Sequence, residues 1–555
     1  MFGNKKHQVN SKSGAVFLTL GLVWAVASFG LAASHESIPH LAKRGTATQL
    51  VVEGKPFVIL AGELTNSTAS SLDYMEPVWD RCVTLKLNTV LAALSWELVE
   101  PEESKYDFTL VDGLVKGARK HSLKLVFLWL GSWKNGVSSY VPGWVKNHVD
   151  RFPRVQRKEG RNTSTITPLS DAACQADARA FAAVMRRIRQ IDGRRHTVLM
   201  MQVENEVGSL GDSRDRSPQA EAAFAGPVPR QLMDYLQKHK DSLLPETQKV
   251  WESSNFRTSG TWGEVFGNDA WADEVFMAWH YAEYIGKIAA AGKAEYPLPM
   301  YANAWLVQNE KQKPGGYPSG GPVSRMMDVW RAAAPAIDLL APDIYLPDFK
   351  GICESYARSG NPLMIPEASR GPEATGRAFW AIAAMNAICF APYGIESCGT
   401  THPIAKSYAT LSRLMPLITE RQGTNRIVGI LEDRDEKEKT VDLDGDYRAH
   451  IMFGGHGKRE GPRGYGLIMT LAPDELLIAG NGIGVNFSPK TAGLQGELVE
   501  VWEMVWKEGK WAKRRSLNGD ETAGGWRAQL PANYSDKYAD LDAPWVVRVK
   551  VCTHR

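Results

Sequence analysis

The chain has 555 residues, 44% hydrophobic and 23% charged, with a formal net charge of +3. That length implies two or three domains rather than one small core, and the composition excludes a disordered or fibrous chain. The near-balanced charge, with no long basic run, excludes nucleic acid as a partner.

In chain order, Lys5, Lys6 and Lys12 come first, followed by the apolar stretch AVFLTLGLVWAVASFGL at residues 15–31. Small residues follow at Ala25-Val26-Ala27 and Ala32-Ala33. A basic start, a short apolar run and small residues predict a signal peptide over residues 1–33, and so a periplasmic or extracellular protein. As an uncleaved anchor the stretch would sit at the low limit for spanning a bilayer. No stable membrane association is expected once the leader is cleaved. The six cysteines form no CxxC pair, which removes zinc-ribbon and thioredoxin-type readings. Cys389 and Cys398 are near enough in the chain to be one candidate disulfide, with free buried thiols as the equal alternative.

Eight apolar runs follow between residues 49 and 408: 56–61 (PFVILA), 88–94 (NTVLAAL), 124–130 (KLVFLWL), 197–203 (TVLMMQV), 298–304 (LPMYANA), 337–345 (IDLLAPDIY), 362–366 (PLMIP) and 387–393 (AICFAPY). Continuous apolar runs of this length suit strands covered on both faces. Helical patterns separate most of them, at 77–87, 112–121, 173–192 and 377–385. Eight βα units predict an α/β fold, a (β/α)8 TIM barrel over residues 45–425. A doubly wound sheet is the alternative, but no glycine-rich phosphate loop follows the first run, where AGELTNSTASS stands. Residues 209–296 are too many for a loop and predict an insertion after strand 4 that covers the barrel mouth. From residue 426 the texture becomes short strands with Gly, Asn and Asp turns, including a hairpin at KEGKW, and predicts a separate β-rich, sandwich-like domain over 426–555.

Residues at the C-terminal ends of barrel strands face the mouth. Run four ends in Glu204-Asn205-Glu206, run seven in Glu367, run one in Glu63, and run two in Glu97 with Glu100 beyond. A single such glutamate is usually a cap or a surface group. Acids ending strands four and seven lie across the mouth and can converge. Two convergent carboxyls, one protonated and one ionised, are the machinery of glycosidic bond cleavage, with retention when they stand about 5–5.5 Å apart.

The segment QVENEVG (202–208) resembles the acid/base motif of glycoside hydrolase family 35, a β-galactosidase family in the clan of retaining (β/α)8 glycosidases. LMIPEASRG (363–371) resembles its nucleophile strand, and residues 78–127, with a W-x-x-x-E-P element and a later YDF, resemble its strand-two region. The resemblance implies Glu206 as acid/base, Glu367 as nucleophile, and Asn205 as the amide that binds the sugar 2-hydroxyl. Glu204 would then be structural. Tyr345 is a candidate donor to Glu367, or else a barrel-lining aromatic. Trp305 and Trp133 are candidates to stack on sugar rings, or else core; the 18 tryptophans of the chain suit either a sugar cleft or a large aromatic core. Glu63 and Glu97 would hold hydroxyls of the terminal sugar or pair with basic residues.

Two stretches depart from the family pattern. Trp96-Glu97-Leu98-Val99-Glu100-Pro101 replaces W-N-x-H-E-P and is also similar to family 42, and Lys134-Asn135 stands where an Ala-Glu-Trp element is expected. AGELTNSTASS and the C-terminal region resemble an exported bacterial subgroup with a C-terminal domain of unknown function, which acts on galactosyl side chains of plant cell-wall polysaccharides. The implied function is a secreted retaining exo-β-galactosidase acting on wall oligosaccharides such as xyloglucan fragments. Alternatives are a β-glucosidase or β-xylosidase on the same barrel, or a non-catalytic carbohydrate-binding protein. The chemistry requires no metal and no organic cofactor.

Overall fold

The computed structural model describes residues 38–454, 463–531 and 544–555. The signal peptide expected at residues 1–33 lies outside the described residues, among which no helix is long and apolar enough to cross a membrane.

All eight apolar runs become strands of one closed barrel with strands parallel in chain order. They are β1 (Ile59–Glu63), β2 (Thr89–Ser95), β3 (Lys124–Lys134), β4 (Val198–Asn205), β5 (Met300–Trp305), β6 (Leu339–Ile344), β7 (Met364–Ala368) and β8 (Cys389–Pro392). Nearly every residue on them is buried, because side chains facing in fill the barrel and those facing out meet the helices. The start of the first run, Lys55–Phe57, belongs instead to a three-stranded antiparallel sheet with His40–Arg44 and Ala47–Val52. Leu50 and Val52 of that sheet join the interior cluster of Ile59, Leu91, Val126, Tyr301 and Met364, closing one end of the barrel with apolar packing.

The insertion after strand 4 is shorter than its sequence suggests. Residues 209–269 carry four helices of five to nine residues, Pro218–Phe224, Arg230–Lys238, Pro245–Glu252 and Trp262–Phe266. The next helix, Ala270–Glu295, is the barrel's own: it packs against Asp171–Asp192 and leads into β5. Trp251 and Trp262 are buried in the insertion, and Trp279 is buried on the barrel helix Ala270–Glu295.

Beyond the helix Ile404–Arg421 the described residues form two antiparallel sheets, one of six strands and one of four, around their own apolar core of Ile451, Ile478, Val485, Val547 and neighbours. Ile427–Leu431, the first strand, lies against the barrel helix Ala374–Ala384, where a side chain at Gly429 would strike the Ala384 backbone. The KEGKW hairpin turns through Glu508 and Gly509, both at positive φ, the conformation that a two-residue hairpin loop requires. All six cysteines are free; Cys389, on β8, and Cys398 form no disulfide.

Candidate active site

Glu206 follows β4 directly and Glu367 lies on β7, so barrel closure brings them to one end of the barrel. A carboxylate oxygen from each, and one from Asp343 on β6, lie within 4.8 Å of one another, and all three side chains are buried. Tyr345 donates its hydroxyl to Glu367 Oε1 at 2.5 Å while the residue stays 49% exposed, placing it at the rim. Asn205 accepts through Oδ1 from Gln202 Nε2 (3.0 Å) and Asn303 Nδ2 (3.1 Å) and donates to Asn135 Oδ1 (3.3 Å). Asn303 also donates to Asp343 Oδ2 (2.7 Å) and accepts from the backbone N–H of Glu206 (3.1 Å). One amide on β5 thus ties the ends of β4 and β6.

Glu204 and Glu206 both adopt positive φ, which is unfavourable for non-glycine residues. The local twist sends the two carboxylates to different places. Glu204 accepts the backbone N–H of Ser132 (2.9 Å) and of Trp133 (2.7 Å), where the β3–β4 ladder is interrupted between Trp129 and Lys134. Asp177 lies beside it, accepting from Trp129 Nε1 (2.7 Å) and from Ser132 N (3.0 Å) and Oγ (2.6 Å). Burial, then the Asp177 charge, hold the Glu204 carboxyl well above its usual range, and burial also raises Asp177. Gly131 makes room for both: a Cβ there would meet Glu204 Oε1 at 2.4 Å and Asp177 Oδ2 at 2.7 Å. Glu204 therefore holds β3 in the shape that delivers Lys134 to the site, while Glu206 is left free for chemistry.

Burial first, then the Glu367 charge, lift the Glu206 carboxyl to about 7, against the opposing effects of Lys134 and of a hydrogen bond from Asp343. Burial also raises Glu367, but Lys134 and the Tyr345 hydroxyl pull it back. Asp343 and Glu63 are pushed well up, by burial and then by Glu367. Lys134 and Tyr345 thus favour the charged form of Glu367, and that charge opposes ionisation of Glu206, Asp343 and Glu63. Three carboxylates at this spacing would also suit a divalent cation, but Lys134 beside them and the Tyr345 donor on Glu367 favour shared protons over a metal.

Glu63 ends β1 buried at 2% exposure, with Oε2 lacking a donor. Asp343 Oδ1 and Glu367 Oε2 also lack donors among the described residues. Trp305 ends β5 half-buried, register partner of Asp343. Two candidate residues take the second of the places read for them. Trp133 is fully buried, donates Nε1 to Ile166 O (3.0 Å) and packs against Tyr281 and Tyr284, so it is core and not a sugar platform. Glu97 lies outside the carboxylate cluster and pairs with Lys146 Nζ (3.4 Å). Asp343 and Asn303 were not among the expected site residues. Their signal was a polar residue inside an apolar run, APDIY and YANAW. Also unexpected is Glu396, whose Oε1 accepts from Thr65 N and Oγ1 and from Thr68 Oγ1, linking the loops after β8 and β1.

Residues 72–289 match the family model of the β-galactosidases of glycoside hydrolase family 42, and residues 404–529 match a domain of unknown function (DUF5597). A curated β-galactosidase of Xanthomonas manihotis is 30% identical over 202 residues, 35% of this chain and 30% of the relative. Among solved structures, the β-galactosidase of Bacillus circulans sp. alkalophilus has a TM-score of 0.44 at 16% identity, covering 65% of this chain and 57% of that one. The catalytic domain of the β-amylase of Paenibacillus polymyxa has a TM-score of 0.43 at 12% identity, covering 64% and 98%. The chain thus spans under a third of the curated relative it matches. The family-model match and the curated relative are both to β-galactosidases; the model matched is that of family 42, and family 35 is not singled out.

Proposed function

We propose that the protein is an exported retaining exo-β-galactosidase that removes terminal β-galactosyl residues from plant cell-wall oligosaccharides such as xyloglucan fragments. The observation that carries the mechanism is the approach of Glu206 and Glu367 carboxylate oxygens within 4.8 Å. That gap suits a nucleophile and an acid on either side of one anomeric carbon; inversion requires a wider separation to admit water. Glu367 attacks that carbon as the C–O bond breaks, and Glu206 gives its proton to the departing oxygen. In the second step the Glu206 carboxylate takes a proton from water, and the resulting hydroxide displaces Glu367. The donor-free oxygens of Glu63, Asp343 and Glu367 favour a ligand rich in hydroxyls. Galactose as the sugar rests on the family-42 match and on the sequence resemblance, and export rests on residues 15–31.

The test is initial rates on aryl β-galactoside, with aryl β-glucoside and β-xyloside beside it and Glu367→Gln as control. Galactoside turnover that disappears in the control is expected. Turnover of another sugar alone would remove galactose, and an active Glu367→Gln would remove the nucleophile.

A further inference from the structure

The loop after β3 borders an open cavity. Arg154–Gln156 and Asn162–Ile166 pair there as a two-stranded ribbon, and the short helix Gly143–Lys146 lies alongside. Val137, Ser138, Ser139, Lys146, Val149, Arg154 and the Asn162-Thr163-Ser164 edge enclose an open cavity of about 540 Å³. Val137 is only three residues beyond Lys134, so chain length alone keeps that wall of the cavity within about 10 Å of that end of β3.

Arg154 is the unusual residue. It is 7% exposed, yet no carboxylate pairs with it among the described residues. Nη2 reaches only the carbonyls of Val145 and Lys146, each at 3.5 Å, the outer limit of a hydrogen bond, and Nη1 has no acceptor. Burial lowers its pKa with no opposing partner. A guanidinium cannot shed its proton in a protein, so a buried one without a counter-ion is costly. Lys146, bridged to Glu97 at 3.4 Å, adds a second cation at the rim. Val137 and Val149, both exposed, give the cavity an apolar wall beside its hydroxyls.

We propose that this cavity is an oxyanion subsite that takes a carboxylate or sulfate group on the glycan next to the sugar being cleaved, with Arg154 as its counter-ion. A guanidinium pairs with the oxygens of either group, while Ser139 and Ser164, exposed on the lining, offer hydroxyls to the remaining oxygen and the neighbouring sugar. The inference rests on the glycosidase reading for the identity of the ligand as a glycan. It adds acidic galactosylated glycans, those carrying uronate or sulfate, to the neutral wall fragments of the proposed function.

Calorimetric titration of the full chain with methyl galacturonoside and with galactose 6-sulfate, at fixed ionic strength in chloride, tests it. The methyl ester of the galacturonoside and plain methyl galactoside are the neutral controls. The acid or the sulfate ester is expected to bind about tenfold or more tightly than its neutral control. Whichever prevails identifies the group. Arg154→Gln should remove the difference and Arg154→Lys should keep part of it, with melting curves and circular dichroism confirming the fold of each. Equal binding of charged and neutral ligands by the wild type would overturn the proposal, whether or not a variant folds. So would an undiminished preference in a folded Arg154→Gln. Wild-type turnover of aryl β-galactoside reports the catalytic reading separately, since the titration requires no catalysis.

Discussion

Replacing Glu206 by glutamine is expected to stabilise the folded chain, and more so as pH rises. Burial and the Glu367 charge lift this carboxyl from 4.5 to about 7. Between those values the folded state keeps a proton that the unfolded chain has released, so stability falls as pH climbs through the window. At about 1.36 kcal/mol per pH unit, the accumulated loss is about 1 kcal/mol at pH 5 and about 3 kcal/mol at pH 8. Glutamine has no proton to lose, so the advantage of Glu206→Gln over wild type should widen by about 2 kcal/mol between those two pH values. Urea unfolding of both proteins at each pH, followed by tryptophan fluorescence, reads the difference directly. An advantage that stays constant or narrows towards alkaline pH would refute the view that Glu206 holds its proton near neutrality.

Three further substitutions probe the neighbours. Tyr345→Phe removes the 2.5 Å donor on Glu367; kcat should fall about 10- to 100-fold and the acidic limb of the kcat/KM profile should move to higher pH, and an unmoved limb would count against Tyr345 as its donor. Asp343→Ala removes a hydrogen bond that lowers the Glu206 carboxyl, so the alkaline limb should move up, whereas Asp343→Asn, which can still donate, should leave it close to wild type. A downward shift in both would mean that Asp343 is ionised and contradict the shared-proton arrangement. Glu204→Ala strands the Ser132 and Trp133 amides inside the protein and should cost about 2–4 kcal/mol, seen as a lower Tm; an unchanged melt would show that β3 keeps its shape without it.

The barrel was legible because each strand is covered on both faces, so all eight announced themselves as apolar runs at nearly the right boundaries. The insertion was overestimated because its last helix, Ala270–Glu295, is apolar almost all round and lacks the stripe that marks a barrel helix at the surface. Glu206 and Glu367 were legible through strand-end position and resemblance. What they touch was not: Asn303 and Asp343 read as single polar residues in strands, and only closure of the barrel shows that they meet β4 and β7. The sequence admits Trp133 as sugar platform or as core, and it is core because the interruption in β3 turns its ring into the Tyr281–Tyr284 cluster while Lys134 goes to the site, a choice that no periodicity of the segment reveals. Glu97 has an ordinary surface partner, Lys146, and nothing in its own segment marks that pairing.

Covalent double displacement through Glu367 is the central claim, and trapping its intermediate tests it most directly. Wild-type protein would be incubated with an activated 2-deoxy-2-fluoro-β-galactoside, which slows release more than attachment, then digested and examined by mass spectrometry. One fluorogalactosyl group on the peptide that carries Glu367, with activity lost in step and no label on Glu367→Gln, is the predicted result. A label on Glu206 or Asp343, or continued turnover of β-galactoside with no covalent species at all, would contradict it.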